Sequence, residues 1–291
     1  MGIAIALLTA VFWGCTPLWA KLFGGKPIEQ LLGTTYGAFI FGILVLIFKH
    51  PEMNNSIFWW CFLAGACWSV GQLATYKGLY DLGISITTPI SAGVQLVGVN
   101  LIGVMFFGSW ASTEARITGF FAILLIFLGV FLTTRGDEKT RNQQGKMQVT
   151  KAVIKLLLGT GIGYTACSTL PKIPEASGWS TFPPQAIGML VSAVAFSLMI
   201  RKYHAGKLLF SKGTLKNMIT GVNSGLGSLS YLITIMLCGI STGFTLSQMS
   251  TVVSTFGGLI FFKEHRHGKT LAYTLSGLFL VVIGSVITGF I

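Results

Sequence analysis

The chain has 291 residues, of which 52% are hydrophobic and only 10% charged, with a mean hydropathy of +0.74. A water-soluble domain carries about 25% charged residues, so the composition excludes one and implies an integral membrane protein. A formal net charge of +12 raises the thought of a nucleic-acid partner, which depends on where the charges fall.

Apolar runs of about 20 residues, the length a helix needs to cross roughly 30 Å of hydrocarbon, predict ten spans. The first, 2–22, has no basic segment ahead of it and reads as a span, not a cleaved signal. Spans 31–48, 57–79, 84–107 and 115–133 follow on short connections. The run 134–151, which contains the polar "RGDEKTRNQQGKMQ", is expected to hold a cytoplasmic linker at 136–150. Next come spans 152–171 and 182–200, the basic loop "RKYHAGKLLFSKGT" at 201–214, and spans 215–237, 241–262 and 270–290. Short alternating strands are absent and unpaired backbone is costly in lipid, so the predicted fold class is all-α, with ten transmembrane helices and not a barrel.

Alternate loops divide the 20 Lys and Arg into 3 on one side (Lys49, Arg116, Lys172) and 17 on the other. The rich side is expected to be cytoplasmic, with both termini outside the cell membrane. The basic charge therefore marks topology and attraction to the lipid bilayer, not nucleic acid. Cys15, Cys61, Cys67, Cys167 and Cys238 fall in spans or at their ends without metal-ligand spacing, and read as small packing residues.

The sequence repeats itself. A shift of 156 residues superposes Gly65 on Gly221, Gly71 on Gly227, Leu73 on Leu229 and Gly83-Ile84-Ser85 on Gly239-Ile240-Ser241. After a one-residue slip, "FFGSW" (106–110) falls on "FFKEH" (261–265), and Gln30 and Gly33 on Gln185 and Gly188. Two halves, 1–135 and 151–291, thus share one plan. Five spans per half is an odd number, so the second half enters the membrane inverted, a construction of secondary transporters that bind substrate between the halves.

"FWG" (12–14), "GGKP" (24–27), "GTT" (33–35), "WSVGQ" (68–72), Ser85 with "TTPISAGVQLVG" (87–98), "QAIG" (185–188), "SQMS" (247–250) and "FFKE" (261–264) span nearly the whole chain. In these motifs it resembles the glucose/ribose porter family of the drug/metabolite transporter superfamily. The resemblance implies a ten-helix bundle of two inverted five-helix repeats that takes up a monosaccharide, glucose or ribose, with a proton as co-substrate. Export of amino acids or small metabolites on the same fold is the alternative. Where the resemblance leads one to expect Gly-Glu-Trp, this chain has Gly108-Ser109-Trp110, while the second half keeps Glu264.

A monosaccharide offers hydroxyls that donate and accept, plus apolar C–H faces, so its site needs amides and hydroxyls beside aromatic rings. Such groups must point into the bundle, because in lipid they would lack partners. Trp68, Gln72 and Thr75 share one helical face, as do Thr88, Ser91 and Gln95. Span one offers Thr9, Trp13 and Thr16; span eight offers Asn223, Gly227 and Ser230 or Tyr231; span nine offers Thr245, Gln248 and Thr255. From these, the candidate substrate-binding residues are Trp13, Trp68, Gln72, Thr75, Thr88, Ser91, Gln95, Asn223, Tyr231 and Gln248.

Asn100 lies off the Gln95 face and is expected to bond a neighbouring helix. Trp59, Trp60, Trp110 and Trp179, at span ends, are expected in the interfacial belts. The GxxxG pairs Gly33/Gly37 and Gly221/Gly225 favour close helix crossings, and Gly257-Gly258 and Pro89 read as packing or hinge. None of the eight acidic residues is mid-span, and His50, His204, His265 and His267 are in loops. Glu29 and Glu264 are therefore the candidates for proton coupling, while Lys77 and Asp81 are expected to pair. No metalloprotease, P-loop, nucleophile-elbow or paired-carboxylate motif occurs. The chain reads as a non-enzyme with no catalytic residues, metal or cofactor.

Overall fold

A computed structural model describes residues 2–135, 146–176, 178–199, 205–238, 243, 246–264 and 268–291. Residues 136–145, 201–204, Gly239-Ile240-Ser241, Thr245, His265 and His267, and the side chain of Cys238, which figure in the sequence reading, lie outside the described residues.

The described chain is built from eleven α-helices, numbered here in order. They are α1 Gly2–Phe23, α2 Pro27–Lys49, α3 Asn55–Asp81, α4 Ile84–Phe106, α5 Thr113–Arg135, α6 Lys146–Thr169, α7 Gly178–Met199, the short α8 Ala205–Leu209, α9 Lys212–Cys238, α10 Met249–Phe261 and α11 Lys269–Gly289. Every predicted span meets a helix, and among the described residues eight helices are long and apolar enough to cross a membrane. Among the described residues, α9 (27 residues) is not one of the eight, and α10 has 13 residues.

Two loop expectations are corrected. α6 starts at Lys146, inside the predicted linker, because Val149 buries against Leu82, Ile86, Ile90 and Leu156. The basic loop is partly helical, since the short helix packs on α2 and α7 with Leu208 buried, and the Leu208 carbonyl accepts from the Thr214 hydroxyl.

Burial is inverted relative to a soluble protein. Large apolar side chains such as Phe48, Phe106, Phe127 and Phe279 face outward, while Thr9, Thr34, Thr35, Ser69 and Asn217 are fully buried. Outward apolar faces are what lipid covers, and inward hydroxyls can bond carbonyls of their own helix. Thr34, Thr35, Thr75 and Thr160 do so.

Close crossings follow the glycines. A Cβ on Gly37 would meet Gly221 of α9 at 2.5 Å, and one on Gly129 would meet the Gly277 carbonyl of α11 at 2.6 Å. Gly257 and Gly258 likewise pack against Leu18 and Ile84. The main helix contacts are α1 with α9 and α10, α2 with α7 and α9, α3 with α6 and α7, α4 with α6 and α10, and α5 with α11.

Trp110 is not an interfacial residue. It is 5% exposed, packed on Gly119 with Leu96, Val97, Ile123 and Ile126 around it, because the turn after α4 folds its ring back into the bundle. Trp59, at 64% exposed, does face outward. Lys77 and Asp81 make no direct ion pair, and the close pair among the described residues is Lys21 with Glu264.

Candidate functional site: a neutral cavity among six helices

A cavity of about 310 Å³ opens between α1, α3, α4, α6, α9 and the segment leading into α10. Its polar lining comes from Thr16, Gln72, Thr75, Thr88, Ser91, Gln95, Ser168, Gln248 and Thr251, with Trp13, Trp68, Tyr164 and Tyr231 as aromatic walls. No Asp, Glu, Lys, Arg or His is among its described lining residues.

The residues singled out by helical spacing converge here. Trp13, Trp68, Gln72, Thr75, Thr88, Ser91, Gln95, Tyr231 and Gln248 all line the cavity. Asn223 does not. Its Nδ2 donates to the Phe12 carbonyl at 2.6 Å and to Thr16 Oγ1 at 3.1 Å, so it ties α9 to α1. Thr9 bonds its own helix, and Thr255 meets Thr88 at 3.3 Å behind the wall. The expected bond from Asn100 to a neighbouring helix is not made by its Nδ2, which is buried without a partner.

Tyr164 was not legible as a site residue, although it organises one wall. Its hydroxyl donates to Gln72 Oε1 at 2.7 Å and lies 2.9 Å from Thr75 Oγ1, which is 3.3 Å from Ser91 Oγ. Its ring rests where a Cβ on Gly71 would sit, 2.6 Å from Cδ1. One helical turn on, Ser168 accepts from Gln95 Nε2 at 3.0 Å and donates to the Tyr164 carbonyl at 2.8 Å. That assignment leaves Gln95 Oε1 with no protein partner among the described residues, free to accept from a ligand hydroxyl. Across the cavity Trp13 packs on Gly227 and lies 5.1 Å from Tyr231, ring centroid to centroid. The only sequence signal for Tyr164 was a lone phenol in span six, which amphipathicity does not distinguish from a packing residue.

Neither candidate acid lines the cavity. Glu29 caps its own helix by accepting from the Lys26 N–H at 2.7 Å. Glu264, just past α10, accepts from Lys21 Nζ at 2.6 Å, the Ile84 N–H at 2.7 Å, the Ser85 N–H at 2.9 Å and the Ser85 hydroxyl. Burial pushes its carboxyl up, but Lys21 and the Ser85 and Ile84 donors outweigh that and hold it below the ordinary value of 4.5.

Apolar helices around a neutral cavity of hydroxyls, amides and aromatic rings define a membrane transporter for a small polar solute. The chain belongs to the sugar transport protein family, which it matches over residues 4–291. It is 41% identical, over 99% of both chains, to a Listeria monocytogenes protein named for sugar uptake. It is 37% identical to a Latilactobacillus sakei protein named for ribose uptake, over 100% of this chain and 99% of that one. It is 35% identical to a Priestia megaterium protein named for glucose uptake, over 99% of both. A crystal structure sharing 11% identity aligns over 98% of this chain and 95% of its own with a TM-score of 0.57, a likeness of fold. The family and the relatives' names are those of a transporter, not an enzyme.

Proposed function

We propose that the protein imports a monosaccharide, glucose first, across the cytoplasmic membrane by alternating access, with a proton as co-substrate. The observation that carries this reading is the cavity itself. Its polar groups are neutral hydroxyls and amides beside Trp13, Trp68, Tyr164 and Tyr231, a lining complementary to a polyol with apolar C–H faces. A zwitterionic amino acid would find no counter-charge among the described lining residues. Ribose is the second reading, favoured by the relative named for its uptake at 37% identity.

Ten spans in two inverted repeats, 1–135 and 151–291, are part of the proposal. The packing pairs support it: α1 meets α9 as α6 meets α3, α2 meets α9 as α7 meets α3, and α1 meets α10 as α6 meets α4. The turns after α4 and α10 also match. The Ser109 N–H reaches the Gly103 carbonyl at 3.0 Å and the Glu264 N–H the Gly258 carbonyl at 3.4 Å. Gly108 and Lys263, before them, are both left-handed, with φ of 66° and 46°. The basic-loop face is read as cytoplasmic, and Glu264, its side chain 11% exposed and paired with Lys21, is the acid proposed to take up a proton when that pair parts.

Purified protein in liposomes is expected to accumulate labelled glucose, competed by unlabelled glucose more strongly than by ribose, and faster with an inward proton gradient. Gln95→Ala is expected to weaken uptake without loss of folded protein. No uptake of either sugar refutes the import reading, stronger competition by ribose replaces glucose with ribose, and indifference to the gradient removes the proton.

A further inference from the structure

Glu264 joins three pieces of chain at one end of the cavity. Its carboxylate sits in a cradle of two glycines, since a Cβ on Gly83 would lie 2.8 Å from Oε1 and one on Gly258 3.3 Å from Oε2. Gly83 also has φ of +86°, a conformation side chains disfavour. From that cradle the carboxylate binds the first two amides of α4 and the ammonium of Lys21 at the end of α1. Lys21 Nζ also lies 5.1 Å from the Phe262 ring centroid. Helices α1, α4 and α10 all contribute cavity walls. Just inside the cradle, Thr88 of α4 and Thr255 of α10 meet at 3.3 Å. Opening the cavity between these helices toward the basic-loop face breaks this network.

The opposite end carries the same parts with one missing. Lys172, following α6, places Nζ 5.6 Å from the Phe107 ring centroid, as Lys21 does over Phe262. Ser109 stands over Gly103 as Glu264 stands over Gly258, with matching backbone hydrogen bonds. Its hydroxyl cannot supply a carboxylate, and Lys172 has no ion-pair partner among the described residues.

We infer that Lys21, Glu264 and the amides of Ile84 and Ser85 form a charged latch that closes the cavity toward the basic-loop face, and that Ser109 leaves its counterpart at Lys172 unlatched. The inference deepens the import reading and rests on it for the direction of transport. The resting cavity faces away from the basic loops, and substrate entering there reaches the cytoplasm only when the latch parts. Glu264 and Lys21 are thus positioning residues that set which face is open.

The test uses Cys167, a free thiol that lines the cavity near the end of α6 remote from the latch. With Cys15, Cys61, Cys67 and Cys238 replaced by Ala or Ser, membrane-impermeant maleimide is applied to right-side-out or inside-out vesicles. In the latched protein Cys167 is expected to react from the face opposite the basic loops. Glu264→Ala and Lys21→Met are expected to raise its rate from the basic-loop face about tenfold, equivalent to about 1.4 kcal/mol, while Lys21→Arg, which keeps the cation, leaves it low. Ser109→Glu is expected to lower labelling from the opposite face by supplying Lys172 with a carboxylate. An unchanged ratio of labelling between the faces in folded Glu264→Ala and Ser109→Glu proteins overturns the latch. If Glu264→Ala does not fold, a disulfide between Thr88→Cys and Thr255→Cys decides: oxidation is expected to stop uptake and reductant to restore it, and transport at the unlinked rate overturns the proposal. Labelling requires no substrate, so a protein that moves neither sugar yet shows these rates refutes import and keeps the latch.

Discussion

Replacing Tyr164 by Phe deletes one oxygen from the cavity and leaves the ring packed on Gly71. Gln72 Oε1 then loses the donor at 2.7 Å, while Thr75 keeps its bond to the Gly71 carbonyl at 3.0 Å. An orphaned buried carbonyl costs about 1–3 kcal/mol, and the amide escapes part of that by rotating away from its binding orientation. A loss of about 1–2 kcal/mol corresponds to a factor of about 5–30. The Kd for glucose, measured by calorimetric titration of purified protein, is expected to rise by that factor with little change in the amount of folded protein. The effect runs through Gln72, so on a Gln72→Ala background the same substitution is expected to cost less than about 0.5 kcal/mol. Equal factors on both backgrounds would show that Tyr164 does not act by holding Gln72, and no change on either would remove it from the binding wall.

Three further outcomes are expected. Asn100→Leu, which removes an amide nitrogen buried without a partner, should leave the thermal midpoint unchanged or raise it, because no hydrogen bond is lost. Trp110→Ala should destabilise by about 3–5 kcal/mol, whereas Trp59→Ala, at a side chain 64% exposed, should be nearly neutral; thermal unfolding in detergent separates them. The Glu264 carboxyl is held below 4.5 by Lys21 and the α4 amides. Its stabilisation is therefore complete above that ordinary value and lost as pH falls through the lower folded value. The gap in melting temperature between the native protein and Glu264→Gln should be constant from pH 7 to about 5.5 and close on further acidification; a gap that widens in acid contradicts the assignment.

The order and approximate limits of the helices were legible because lipid demands long apolar runs, and those runs are local facts of the sequence. So were the polar faces. Trp68, Gln72 and Thr75, or Thr88, Ser91 and Gln95, share a face by helix geometry alone, and polar groups in a span have only the interior to face. The recurrence of Gly83-Ile84-Ser85 and of "FFGSW" as "FFKEH" also lay in the sequence.

What one helix's pattern does not contain is which partner meets which face. Asn223 and Gln248 looked equivalent as intramembrane amides, yet one bonds the α1 backbone and the other lines the cavity. Trp110 looked interfacial by its position after α4, but the turn folds it onto Gly119. Tyr164 earned no attention in its own span, and its role depends on Gln72, 92 residues away. Glu264 read only as a candidate for proton coupling, and it was the fold that set Lys21 and the start of α4 against it, 243 and about 180 residues distant. Hydrophobicity and helical period thus determined what had to be inside, since transfer into lipid is decided residue by residue. Only the packing of helices remote in sequence decided which buried polar groups satisfy one another and which remain free for a substrate, because a hydrogen bond requires two particular atoms within about 3 Å.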